Sequence, residues 1–111
     1  MQKADRKAAV AAYKEKPPAW GVFAVRCAAS GQIWVGGTRN IDTHANRLFF
    51  SLRQGVALPA SLIEAWRTHG EAGLRFEALE QFDPELSAMA REDALKQRVA
   101  AWRQELDATA I

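Results

Sequence analysis

The sequence holds a single cysteine, Cys27, in 111 residues. One thiol cannot close an internal disulfide, which fits a reducing compartment, and it excludes a cysteine-rich zinc site. Long apolar runs are missing too. The best, Gly21 to Val25, stops at Arg26, far short of the ~18 residues that a membrane-crossing helix needs. The apolar stretch Ala8 to Tyr13 follows a basic start (Lys3, Arg6, Lys7) and runs directly into Lys14, Glu15 and Lys16. It is too short for the apolar core of a signal peptide. The expected location is the cytoplasm, with no membrane partner. A strong charge excess is also lacking: a net charge of +2 and a pI near 9.0 are too mild to establish a polyanionic partner.

The chain does have an ordinary globular composition, with 49% hydrophobic and 25% charged residues. Its length suits one domain with a core that needs no staples. There are no internal repeats and no low-complexity linker. Charge is unevenly placed. Residues 1–16 carry five Lys/Arg against two acids, and residues 38–55 carry Arg39, Arg47 and Arg53 against Asp42 alone.

Residues 3–15 read as an alanine-rich helix that Pro17-Pro18 must end. Trp20 to Cys27 is rich in β-branched and aromatic residues with apolar side chains at both parities, as in a strand covered on both faces. Ala29-Ser30-Gly31 supplies a turn and Gln32 to Gly36 the returning strand, giving a hairpin. The period then changes. Ile41, Ala45, Leu48 and Leu52 form one helix stripe, with His44 and Arg47 three apart on a neighbouring face. Gly55 is placed to end that helix. Ser61-Leu-Ile-Glu64 has the pattern of a capping box opening a second helix, which buries Leu62, Ile63 and Trp66 and stops at His69-Gly70. Leu74 to Leu79 alternates as a third strand with one wet face. Glu92, Leu95, Val99, Trp102 and Leu106 mark a long C-terminal helix. The expectation is an α/β (α+β layered) fold: a small three-stranded, mainly antiparallel sheet flanked by helices. The expected division is a helical extension over 1–18, one domain over 19–107 and a tail over 108–111.

Gly21-Val22-Phe23 and, after ten intervening residues, Trp34-Val35-Gly36 resemble the paired tripeptides of the GIY-YIG nuclease family. The likeness continues downstream. Gly37-Thr-Arg-Asn40 is similar to the family's lead-in to its first helix, and Leu62 to Gly70 and Leu74 to Glu80 are similar to the blocks that follow. Trp102 and Leu106 match the final helix. The resemblance covers residues 20–106. It implies a nuclease cutting phosphodiester bonds with one divalent metal, Mg or Mn. It also implies a tyrosine at each tripeptide, an arginine in the first helix and a metal-holding glutamate in the last. Nucleic acid would be the partner, DNA more than RNA, with a protein partner for targeting.

Carried over position by position, the tyrosines become Phe23 and Trp34, and the arginine becomes His44, with Arg47 one turn further along. The metal glutamate becomes Val99, and a nearby acidic position becomes Gln97. Glu92 is the carboxylate that could supply the ligand from a shifted position, because a hard cation wants carboxylate oxygens. His44 is either a general base, better suited to neutral pH than a tyrosine, or a surface or partly packed histidine. Trp34 is a candidate stacking platform beside Arg39, His44 and Arg47, whereas Trp66 and Trp102 read as core. The expected catalytic set is thus His44, Arg47, Trp34 and Phe23. Arg39, Asn40, Arg47, Gly36 and Gly37 would contact nucleic acid, and Glu92 the metal. Three functions stay open: a nuclease with an atypical catalytic set, a nucleic-acid-binding module that has lost its chemistry, and a protein-interaction domain on the same scaffold.

Overall fold

The computed structural model describes residues 18–55 and 59–111. The helix expected over residues 3–15 lies outside them. Strand β1 (Gly21–Cys27) turns back into β2 (Ile33–Thr38), and helices α1 (Ile41–Gln54) and α2 (Ala60–His69) follow. A 3-10 turn (Glu71–Gly73) leads to β3 (Leu74–Gln81), helix α3 (Ala88–Leu106) and a two-residue strand β4 (Thr109–Ala110).

The hairpin forms because β1 and β2 are apolar on both faces and Gly31, at φ 75°, takes the left-handed conformation the turn requires. β1 is central. It pairs antiparallel with β2 from Gly21↔Thr38 to Arg26↔Ile33, and antiparallel with β3 across a register shift between Val22 and Phe23. The sheet order is β3-β1-β2-β4. It has four strands rather than the expected three, because the stretch expected as a tail pairs parallel to β2 through Trp34↔Thr109 and Val35↔Ala110. The Ile111 N–H then donates to the Val35 carbonyl at 3.1 Å.

The alternation along β1 divides the core. Phe23, Val25 and Cys27 join Trp34, Leu74 and the buried side of α1 and α2 on one face. Val22, Ala24 and Val35 pack with α3 on the other. Ile41, Leu48 and Leu52 are the buried members of the α1 stripe, and Gly55 ends that helix in the left-handed region at φ 70°. In α2 the buried residues are Leu62 and Ala65, while Ile63 and Trp66 are half-buried against the core. The expected capping box does not form. Pro59 precedes the first turn, no side chain caps it, and the Ser61 hydroxyl accepts a hydrogen bond from Trp34 Nε1 at 2.9 Å instead. The pull of a buried indole N–H outweighs a local cap, since a buried donor without a partner is expensive. Helix α3 does receive a cap: Ser87 Oγ accepts a hydrogen bond from the Ala90 N–H at 3.1 Å. Glu80 ties α3 to β3 by accepting from Trp102 Nε1 and Arg98 Nε, each at 2.9 Å.

Candidate functional site

Strand β2 ends in Gly36-Gly37-Thr38, and each position sets a distance. Gly36 faces α1, and a Cβ there would stand 2.8 Å from Phe23 Cζ and 2.7 Å from the Ile111 carbonyl oxygen. Gly37 faces α3, and a Cβ there would meet Leu95 Cδ1 at 2.8 Å and Val99 Cγ2 at 3.1 Å. The absent side chains let the Phe23 ring slide under β2 on one face and α3 lie close against it on the other. Beyond them the chain turns into α1. The Thr38 hydroxyl accepts from the Asn40 N–H at 3.1 Å and donates to the Asn40 carbonyl at 3.3 Å. Asn40 therefore enters the helix held by its backbone, with no side-chain cap.

Two grooves meet over this end of β2. One, of about 370 Å³, runs between Gly37-Thr38-Arg39 and the α1 residues His44, Arg47 and Ser51. The other, of about 500 Å³, runs between the same β2 residues and α3, lined by Glu92, Leu95, Lys96, Val99, Ala100 and Arg103. Together they gather Arg39, Arg47, Lys96 and Arg103 against the single carboxylate of Glu92. Arg39 donates to that carboxylate, and its guanidinium lies 5.1 Å from the centre of the Trp20 ring. Arg91 lies over the same ring at 4.8 Å. The indole thus attracts two guanidiniums through its negative face, of which that of Arg39 borders both grooves. A larger hollow of about 620 Å³ between α1 and the start of β3 carries less free charge. Its Arg26 is paired with Glu77 and its Glu71 with Arg53.

Of the residues expected at the site, Arg39, Gly37, His44, Arg47 and Glu92 do border these grooves. Trp34 does not. It is completely buried and spends its N–H on Ser61, so it presents no ring face to a base. The stacking platform expected there is a core residue, because its parity on β2 turns it towards α1 and α2. Phe23 is also core, 2% exposed, stacked on Phe76 at 5.2 Å and tilted against His44 at 4.3 Å. It supports the His44 ring from beneath. Gly36 is buried and shapes the site only through what it leaves out.

His44 is half-buried, and its Nδ1 has no partner among the described residues. Burial pushes its pKa below the ordinary histidine value, and the positive charge of Arg47 pushes it the same way. The ring is therefore neutral at physiological pH. Glu92, expected as the metal ligand, is instead the ion-pair partner of Arg39. The donor set does not suit a hard divalent cation. Beside that one engaged carboxylate stand Lys96, Arg103, Leu95 and Val99, cationic or aliphatic side chains that offer a cation no oxygen ligand.

Lys96, Arg103, Trp20 and Arg91 escaped the reading of the sequence. A signal for the first two was present: positions 92, 96, 99 and 103 repeat at four, three and four along α3 and so share one helical face.

A four-stranded sheet in this order, with two helices on one face and a long helix on the other, is the fold of the GIY-YIG nuclease catalytic domain. The chain is similar to the solved catalytic domain of the homing endonuclease I-TevI, with a TM-score of 0.69 and 20% identity over 83% of this chain and 97% of that one. A point-mutant form of the catalytic domain of the intron endonuclease I-TevI aligns with a TM-score of 0.67 and 20% identity, over 80% of this chain and 84% of that one. At this identity the likeness is one of fold. No protein-family model and no curated protein matches the chain. No helix among the described residues is long and apolar enough to cross a membrane.

Proposed function

We propose that this domain is a nucleic-acid-binding module that holds phosphates in the grooves over the end of β2 and performs no metal-dependent hydrolysis. One observation carries the reading. Arg39, Arg47, Lys96 and Arg103 border joined grooves in which the one carboxylate is already paired with a cation. Phosphodiester cleavage on this fold calls for a metal to polarise the phosphate and neutralise the leaving oxygen. Here the corresponding wall offers Val99, which has no ligand atom, and Lys96, whose charge suits an anion and not a cation. Arginine forks match phosphate oxygens bidentately, and lysine adds a point charge.

His44 and Arg47 share the α1 side, so the parts of an atypical catalytic set stand close together. A neutral imidazole could accept a proton from water, yet with Glu92 engaged by Arg39 the departing oxygen would have only cationic side chains, and no metal, to meet its charge. In the binding reading His44 is a hydrogen-bonding neighbour of the phosphate, and Arg47 supplies the charge. DNA is the expected ligand ahead of RNA, and any protein partner that targets the module remains a separate expectation. Fluorescence anisotropy with a labelled oligonucleotide in EDTA tests the proposal. Binding that weakens steeply with salt, together with intact substrate after Mg²⁺ or Mn²⁺ is added, is the expected result. Cleavage on adding metal overturns it, as does an absence of binding.

A further inference from the structure

The β2–α3 groove is not lined as a bare phosphate site would be. Its rim carries Arg39, Lys96 and Arg103, but its floor is made by Leu95, Val99 and the bare backbone of Gly37. Building on the phosphate-binding reading above, we infer that this groove takes an unpaired nucleotide, with the base laid on the Leu95–Val99 floor and its phosphates held by the rim cations, so that the ligand is single-stranded nucleic acid.

A duplex turns its phosphates outward and keeps its bases stacked within. Set on this groove it would reach Arg39, Lys96 and Arg103 while leaving the floor wet and unused. An unstacked base has two apolar faces and needs a surface to cover at least one of them, a role that aliphatic side chains fill where flipped or single-stranded bases are bound. The groove, of about 500 Å³, is open to solvent, which leaves room for one base against the floor. The rim guanidiniums can also stack on a base plane, which lysine cannot do. The Arg39 guanidinium already lies over an aromatic ring, 5.1 Å from the centre of Trp20. Charge on the rim and hydrocarbon on the floor suit a nucleotide better than either a free phosphate or a duplex backbone.

The test is a methyl NMR titration of the full chain with dT10, with rU10 and with a ten-base-pair duplex, each also measured for affinity by anisotropy in EDTA. The single strands should bind at least tenfold tighter than the duplex, and ring-current shifts should appear at the Leu95 δ and Val99 γ methyls. Shifts with dT10, with rU10 or with both support the inference, and which strand binds tighter identifies the sugar preferred. Val99→Thr keeps the shape and makes the floor polar; it should weaken single-strand binding about threefold and leave duplex binding within twofold. The inference is overturned if the duplex binds as tightly as the tighter-binding of the two strands or if those methyls stay unmoved while binding occurs; phosphate binding itself then stands. If none of the three ligands binds, the underlying reading fails as well.

Discussion

Glu92→Gln separates the two accounts of this groove by the sign of its effect. The Arg39 and Glu92 side chains are 70% and 36% exposed, so their ion pair sits in hydrated surroundings. Pairs of that kind are worth about 0–1 kcal/mol. A phosphate that engages Arg39 must compete with the Glu92 carboxylate for it. Removing the carboxylate's charge returns that competition to binding and also removes the repulsion between Glu92 and the incoming anion. At a distance of about 8 Å that repulsion is roughly 0.5 kcal/mol in water, and physiological salt screens it to less than half. The sum corresponds to binding about 1.4- to sevenfold tighter, since each 1.4 kcal/mol is tenfold. Arg39 would keep its pose, because the Trp20 ring holds it independently of Glu92. The measurement is anisotropy of a labelled single strand in EDTA, with the wild type and the variant side by side across a salt series. Thermal unfolding should change little, by no more than about 5 °C, in line with the loss of one exposed pair. Weaker binding by Glu92→Gln, or the loss of a Mg²⁺-dependent cleavage that the wild type shows, would make Glu92 a ligand-holding carboxylate and refute the reasoning.

Other outcomes follow from the packing around the site. Ser61→Ala leaves Trp34 Nε1 buried without an acceptor, and should cost about 1–3 kcal/mol in chemical denaturation while binding is unchanged; a loss of binding with full stability would return Trp34 to the site. Gly36→Ala drives a Cβ against Phe23 and the Ile111 carbonyl, and overpacking of this kind should cost about 1–3 kcal/mol, read as a lowered melting temperature. Arg47→Ala should weaken oligonucleotide binding severalfold and reduce the salt slope by about 1, whereas an unchanged affinity would remove the α1 side from the interface. His44 has its folded pKa lowered, mainly by burial. The unfolded chain therefore binds more protons below about pH 6.5, and stability falls as pH drops through that value. His44→Gln should flatten the fall between pH 7 and 5.5 in urea melts; an identical slope in the variant would show that the ring is not held neutral.

The parts of the fold that were legible in the sequence are those set by local chemistry. Gly31, Gly55 and Gly70 each take a positive φ where a turn or helix end demanded one, and the apolar residues at both parities of β1 correspond to packed layers on both its faces. What stayed hidden depends on distant partners. A two-residue strand such as β4 has no period to detect; it exists because β2 offers it a free edge. The Ser61 hydroxyl has the spacing of a cap, yet the indole of Trp34, 27 positions away in the chain, claims it. At the site, Arg39, His44 and Arg47 follow from their closeness in sequence. Lys96 and Arg103 join them only because Gly37 lets α3 approach β2, and the pairing of Glu92 with Arg39 spans 53 positions. Trp34 shows the limit of carrying a role across by alignment. Its place in the strand fixes which way the ring points, and it points into the core.

On this reading the grooves at the end of β2 bind phosphates through protein cations alone. The dependence of single-strand affinity on salt, measured in EDTA, tests it most directly. Engagement of Arg39, Arg47, Lys96 and Arg103 predicts a log–log slope of about −3, unchanged when Mg²⁺ at low concentration replaces EDTA at constant ionic strength, with the oligonucleotide recovered intact. A slope near zero, or binding that requires the divalent ion and ends in cleavage, would contradict the account.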